Sequence, residues 1–321
     1  MMMQSLTTEQ WLERLHTDGL QPSMQELMYY RTKLPAFARH QRQLPASSQS
    51  GALLSKTRGR GMEFDEVRHY QPGDDVRSID WRVTARTGKA HTKLYREEKD
   101  RPVYIVVDLA LTQLFGSQLL FKSVQACHLA SALAWQTLQR GDKVGGIISN
   151  GWLQNEYKPS LQHKSVMHFL HGLTEIHQDS LARWRQQTPP HAAPLGKSID
   201  HLTQLVKPGS LINIISDFEH VSNTTLEQLA RLNTRSSVRT FKLFDPMEQQ
   251  LPEGYSSQPL SVHDGERQAM VNLNNMRQRR DYHRRAVSEL EQLSERFKQY
   301  RLPMTQVSSA IALEQQWPEL R

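Results

Sequence analysis

A single cysteine, Cys127, stands in this 321-residue chain, which excludes an internal disulfide and any fold stapled by one. Aromatic residues are few, at 7%. No stretch approaches the eighteen or so uninterrupted apolar residues of a membrane-spanning helix, and the start MMMQSLTTEQWLERL has no basic segment followed by an apolar one. A cytoplasmic location is therefore expected. Charge of one sign is also not concentrated anywhere: 40 Lys and Arg face 33 Asp and Glu for a net +7, and they interleave. Mutual pairing and solvation explain that pattern better than a specific nucleic-acid surface, including the arginines at 277, 279, 280, 284 and 285 on one predicted helix.

Several catalytic signatures are missing too. Gly59 and Gly61 open a G-x-G, but Phe64 stands where a dinucleotide loop needs its third glycine. Gly196-Lys197-Ser198 resembles the end of a phosphate loop, yet His191 occupies the place of its first glycine. His163, His168, His171 and His177 lie in SVMHFLHGLTEIH without an HExxH pattern or an acidic partner pair, so they are expected as surface or half-buried histidines. No Ser-His-Asp order can be singled out. Cys127, within LLFKSVQACHLASALAWQTLQR, is expected as a small, half-buried apolar residue.

What is present is an α/β pattern. The near-continuous apolar runs Val103 to Val107, Val144 to Ile148, Leu211 to Ile215 and Val238 to Phe244 predict strands buried on both faces of a mostly parallel sheet. Helices are predicted between them, including one from Leu119 to Gln139 that Gly141 ends. A last strand is expected in PMTQVSS, and an Asp-Gly turn at Asp264 and Gly265 predicts a hairpin between Leu260 and Val271. The spacing of Tyr282, Ala286, Leu290, Leu293, Phe297 and Tyr300 predicts an amphipathic helix with its apolar stripe in the core. Two capping boxes, Thr7 with Gln10 and Ser23 with Glu26, announce two N-terminal helices. The expected organisation is a helical arm at 1–45, a linker and signature segment at 46–100, and a doubly wound α/β domain at 101–321.

The densest information lies in GRGMEFDEVRHYQPGDDVRSIDWRVTARTGK, from Gly59 to Lys89. Pro72-Gly73 is a turn pair, and Asp74 or Asp75 can cap a short helix holding Val76 and Ile79. Arg68, Arg77, Arg82 and Arg86 can pair with Glu63, Asp65, Asp74 and Asp80 as a structural network. The same segment can serve as a docking surface, with Trp81, Arg77 and Asp74 as contacts, because tryptophan and arginine dominate many interfaces. Downstream, the strand Val103 to Val107 delivers Asp108 to the carboxyl edge of the sheet, where open α/β sheets build their sites.

This run, together with Asp108, Phe115-Gly116-Ser117, Lys122, Gly141-Asp142-Lys143-Val144-Gly145, Ile215-Ser216-Asp217 and Asp245-Pro246-Met247-Glu248, resembles the soluble branch of the domain of unknown function 58 family. The resemblance covers most of the chain after residue 50. It implies a Rossmann-like sheet of von Willebrand factor A type, usually encoded beside a MoxR-type AAA+ ATPase, with no established catalytic activity. It also implies a divalent-ion site (MIDAS) built from a D-x-S-x-S loop, a threonine and a third-strand aspartate. Here the loop reads Asp108-Leu109-Ala110-Leu111-Thr112, and Ala193 falls where the threonine would be. The surviving ligands Asp108, Thr112 and Asp217 make a degenerate site, with weak magnesium binding or none expected. For Asp108 the competing expectation is a carboxylate accepting backbone N–H groups.

The expected function is a non-catalytic interaction module, an adaptor or co-chaperone for a MoxR-type ATPase, with other von Willebrand A-containing proteins as further expected partners. Contact is expected through Asp108, Thr112 and Asp217. The alternative is a divalent-metal-dependent hydrolase with Asp108 and Asp217 as cation ligands, although no candidate base lies near them in sequence.

Overall fold

The computed structural model describes residues 6–39, 62–71, 75–97, 101–188, 194–253, 260–263 and 268–317. Two units emerge: residues 44–100, and the remainder of the chain. The helical arm therefore groups with the α/β body and is not a unit of its own.

The arm consists of α1 (Thr8–Leu15) and α2 (Met24–Arg39). Thr7 and Gln10 form the expected reciprocal cap of α1. At α2 only half of the expected box forms. Ser23 Oγ accepts the Glu26 N–H at 3.3 Å, but the Glu26 carboxylate turns inward to His128 Nε2 at 3.3 Å. A buried imidazole outcompetes a solvated cap because Glu26 itself is 1% exposed.

Within residues 44–100, β1 (Met62–His69) pairs antiparallel with β2 (His91–Glu97), with a bulge between Phe64 and Glu66. A 3-10 turn at Val76–Ser78 and the helix α3 (Trp81–Thr87) lie between these strands. The sequence patterns did not announce either strand. Asp75 caps the turn through the Arg77 N–H at 2.9 Å, and Asp80 caps α3 through the N–H groups of Arg82 and Val83. Gly88 ends α3 at a φ of 70°, a left-handed conformation that glycine adopts without a Cβ penalty. Asp74 lies outside the described residues.

The second unit is built on a six-stranded sheet. Its elements follow as β3 (Pro102–Asp108), α4 (Lys122–Gln139), β4 (Lys143–Ser149), β5 (Gln154–Ser160), α5 (His163–Arg185), α6 (Pro194–Leu205), β6 (Leu211–Ser216), α7 (Asn223–Arg235), β7 (Ser237–Phe244) and α8 (Pro246–Gln249). The hairpin β8 (Leu260–His263) with β9 (Gln268–Val271), then α9 (Met276–Gln299), β10 (Met304–Ser308) and α10 (Leu313–Gln316) complete it. The predicted hairpin turn at Asp264 and Gly265 lies outside the described residues.

Strand order is β10-β7-β6-β3-β4-β5. All neighbours are parallel except β4 and β5. Alternation along β3 divides the core in two: Val103, Ile105 and Val107 face α4, α5 and the arm, while Tyr104 and Val106 face α6, α7 and α9. A strand that must satisfy both faces carries no polar residue until its end. Gly146 of β4 lies against Ile105 of β3, where an added Cβ would meet the Ile105 carbonyl oxygen at 2.0 Å.

Three expectations change in detail. Cys127 is wholly buried. His177 is buried, unlike the exposed His168 and His171, and bonds Ser123 Oγ at 2.9 Å. On α9 only Phe297 of the apolar stripe is fully buried; Tyr282, Leu290 and Leu293 are half-buried. The N-terminal half of α9 lies against α8, where the Tyr282 hydroxyl donates to the Met247 carbonyl at 3.1 Å. No described helix is long and apolar enough to cross a membrane.

Candidate functional site

Strand order sets the position of the site. From β3 the chain proceeds through β4 to β5 on one side of the sheet, then returns to place β6, β7 and β10 on the other. β3 and β6 therefore flank the point where the winding reverses, and their carboxyl ends border a crevice. Asp108 closes β3, and Asp217 follows β6 directly.

Both acids are buried, at 5% and 3% exposure. Asp108 Oδ1 accepts the Ala110 N–H at 3.1 Å, and its Oδ2 accepts the Ser216 hydroxyl at 2.7 Å. Gln113 Nε2 donates to the Asp108 carbonyl at 2.8 Å. Burial first, and the charge of Asp217 second, push the Asp108 carboxyl up to about 7. Asp217 moves in the opposite direction. Although burial works against its charge, the Lys122 and Lys242 ammoniums and a hydrogen bond from Thr112 hold it below the usual carboxylate range. Asp108, Thr112 and Asp217 are thus gathered at one rim, as the sequence predicts.

The residue that organises them is Lys122. Its side chain is 0% exposed, and its Nζ lies 2.5 Å from Glu248 Oε1, 3.3 Å from Asp217 Oδ2 and 3.7 Å from Glu219 Oε1. Lys122 is the first residue of α4, with Phe121 as N-cap. A cation there opposes the positive end of the helix dipole, and burial alone would favour its neutral amine. The three carboxylates overcome both effects and raise its affinity for the proton.

Local backbone geometry brings these groups together. Phe218 adopts a φ of 56° between Asp217 and Glu219, a left-handed conformation costing about 1–3 kcal/mol in a non-glycine residue. Its ring is buried edge-on against Phe297, with centroids 5.1 Å apart. Glu248 divides its oxygens: Oε2 accepts the Asp245 N–H at 3.0 Å within the cap of α8, and Oε1 holds Lys122. Lys242 Nζ donates to the Asp217 carbonyl at 3.0 Å. Beside this cluster, fully buried Asp245 accepts the Ser117 N–H at 2.9 Å, the Ser117 hydroxyl at 2.5 Å and the Ser309 hydroxyl at 2.8 Å. Those bonds anchor the Phe115-Gly116-Ser117 loop. Gly116 is obligatory there, because a Cβ would lie 2.1 Å from the Leu120 carbonyl oxygen.

The rim has an apolar border. Leu20, Phe115 and Ile311 are 47%, 38% and 43% exposed, and Phe115, Ile311 and Gly19, the neighbour of Leu20, are each hydrogen-bonded to the start of α4. The Phe121 N–H donates to the Gly19 carbonyl and the Lys122 N–H to the Phe115 carbonyl, while Gln125 Nε2 donates to the Ile311 carbonyl. In the other unit, Val76 and Trp81 are exposed at 58% and 66%, and Arg77 is exposed beside the same 3-10 turn.

Sequence reasoning placed Asp108, Thr112 and Asp217 but assigned no role to Lys122, Glu219, Lys242 or Glu248. The available signal was a lysine, Lys122, immediately ahead of an otherwise apolar crossover helix. Its inward orientation was not visible.

A mostly parallel, mixed α/β body with a buried ionic cluster at its switch point defines the class. Residues 66–292 match the family described as "Protein of unknown function DUF58", and the chain belongs to that family. The curated relatives it matches include "Uncharacterized protein Rv1480" of Mycobacterium tuberculosis strain H37Rv and "Uncharacterized protein Mb1516" of Mycobacterium bovis. Each is 29% identical over 205 residues, 63% of this chain and 61% of the relative. The match thus spans less than two thirds of their length. Among solved structures, the conserved hypothetical protein BatB from Bacteroides thetaiotaomicron superposes with a TM-score of 0.36 at 16% identity, over 63% of this chain and 98% of that one. An aerotolerance-related membrane protein from Bacteroides fragilis, with multiple mutations to serines, gives 0.38 at 16%, over 68% and 98%. Superpositions this loose carry no inference about strand order or binding here.

Proposed function

We propose that this protein is a non-catalytic interaction module of von Willebrand A type, an adaptor or co-chaperone for a MoxR-type AAA+ ATPase, which it contacts through the carboxyl rim of its sheet. The observation that carries the reading is an ionic cluster whose buried acids are engaged by Lys122 and by hydrogen bonds, bordered by exposed Leu20, Phe115 and Ile311. Such a combination suits docking: a rigid polar floor with apolar side chains that gain from being covered. Trp81, exposed on the other unit, is a second candidate anchor. The resemblance to the soluble branch of the family names the ATPase.

The test mixes the purified protein with the MoxR-type ATPase of the same cell at tens of micromolar and follows the mass by light scattering. A complex weakened at least tenfold by Phe115→Asp supports the rim as the contact, that factor corresponding to about 1.4 kcal/mol. No association at that concentration removes the adaptor reading.

A further inference from the structure

We infer that Lys122 is an internal replacement for the divalent cation that a von Willebrand A-type rim implies, so that this site is completed by the chain itself and works without metal. The inference deepens the docking reading of the rim, but it concerns the isolated chain and stands or falls separately.

The donor set carries the argument. Lys122 Nζ already lies within ion-pair distance of Asp217, Glu219 and Glu248. Magnesium needs oxygens at about 2.0–2.1 Å in an octahedron; an ammonium touching Asp217 occupies part of that sphere and repels a second cation. The oxygens that might compensate are engaged elsewhere. Ser216 Oγ both donates to Asp108 at 2.7 Å and accepts the Phe218 N–H at 3.0 Å, and Asp217 Oδ1 accepts the Glu219 N–H at 3.3 Å. Position 110, an alanine, contributes only its backbone N–H, which Asp108 accepts. Among the described residues, no group of three or more His, Cys, Asp or Glu is arranged to hold a metal ion. The present residues therefore do not fit magnesium, and they do fit an ammonium.

The arrangement also explains why a lysine lies buried at the start of a helix, against the dipole. Without a cation, Asp217, Glu219 and Glu248 would repel one another in a partly dry pocket. Lys122 brings the required positive charge on a tether, with no dependence on the ion content of its surroundings.

The experiment titrates Mn2+ into the purified full chain, following free Mn2+ by electron paramagnetic resonance and the unfolding temperature with and without EDTA. The wild-type chain is expected to leave the Mn2+ signal unchanged and to unfold at the same temperature in EDTA and in millimolar Mn2+. Lys122→Ala, which vacates the ammonium position, is expected to unfold at lower temperature in EDTA and to recover several degrees in Mn2+. The double variant Lys122→Ala with Asp217→Asn should lose that recovery. Saturable Mn2+ binding by the wild type that disappears in Asp217→Asn overturns the inference and restores the metal-dependent hydrolase reading. A folded Lys122→Ala chain indifferent to Mn2+ overturns it as well. If Lys122→Ala does not fold, the wild-type titration alone decides. Where the docking reading also holds, association with the ATPase persists in EDTA; loss of association there, with the wild type still silent to Mn2+, would count against the docking reading alone.

Discussion

Two buried groups titrate in the same pH interval with opposite consequences. Burial pushes the His177 imidazole down to about 4, so between pH 4 and about 6.5 the unfolded chain takes up a proton that the folded one refuses, and stability rises with pH. At neutral pH this is worth about 3 kcal/mol relative to pH 4. Asp108, pushed up to about 7 by burial and by Asp217, does the reverse. From about pH 4 to 7 its folded carboxyl keeps the proton while the unfolded one has lost it, and stability falls as pH rises. The two slopes therefore oppose each other across that interval. Urea titrations at several pH values are expected to show stability falling with rising pH in His177→Gln and rising in Asp108→Asn. Two variants with slopes equal to the wild type would show that neither assignment is correct. Asp108 was legible as a site candidate because a carboxylate ending an apolar strand is conspicuous. Lys122 was not, because its neighbours in sequence say nothing of the acids that reach it from the ends of β6 and from α8.

At the scale of elements, the arm is the informative case. Two capped helices were readable from Thr7, Gln10 and Ser23, but their destination was not. Leu27 and Tyr30 of α2 are fully buried in the same core as α4. The Tyr30 hydroxyl meets His128 Nδ1 at 2.9 Å, and Ser131 Oγ donates to the Leu27 carbonyl at 2.6 Å. Arg14 of α1 pairs with Glu314 at 2.9 Å, which ties the first helix to the last. Leu27→Ala is accordingly expected to destabilise the α/β body by about 2–5 kcal/mol, seen as a lower urea midpoint with an unchanged slope. A loss under 1 kcal/mol would mean that the arm is an appendage. The α9 stripe shows the converse. Its period correctly predicted a helix and the face it turns to the body, but periodicity reports which side is apolar and not how much protein lies opposite, so most of the stripe is only half-buried.

For the whole molecule, the apolar clusters on the two faces of the sheet and beneath α1 draw, among the described residues, only on segments outside 44–100. Replacing 44–100 by a flexible Gly/Ser linker should therefore leave a single cooperative unfolding transition of the α/β body, measured by circular dichroism; loss of cooperativity would show that the segment completes that core. The chain by itself determined the parallel strands, because a strand buried on both faces must be apolar at successive positions, and it determined that Asp108 and Asp217 lie at strand ends. β1, β2 and β5 escaped it: they are polar edge or hairpin strands, which pair through backbone hydrogen bonds and leave little trace in side-chain pattern. Only the tertiary structure decided that α2 packs on α4 and that Lys122 sits among three carboxylates. Those partners are separated by about a hundred residues, and charge pairing at such separation is set by where the strands deliver their ends, which local sequence does not encode.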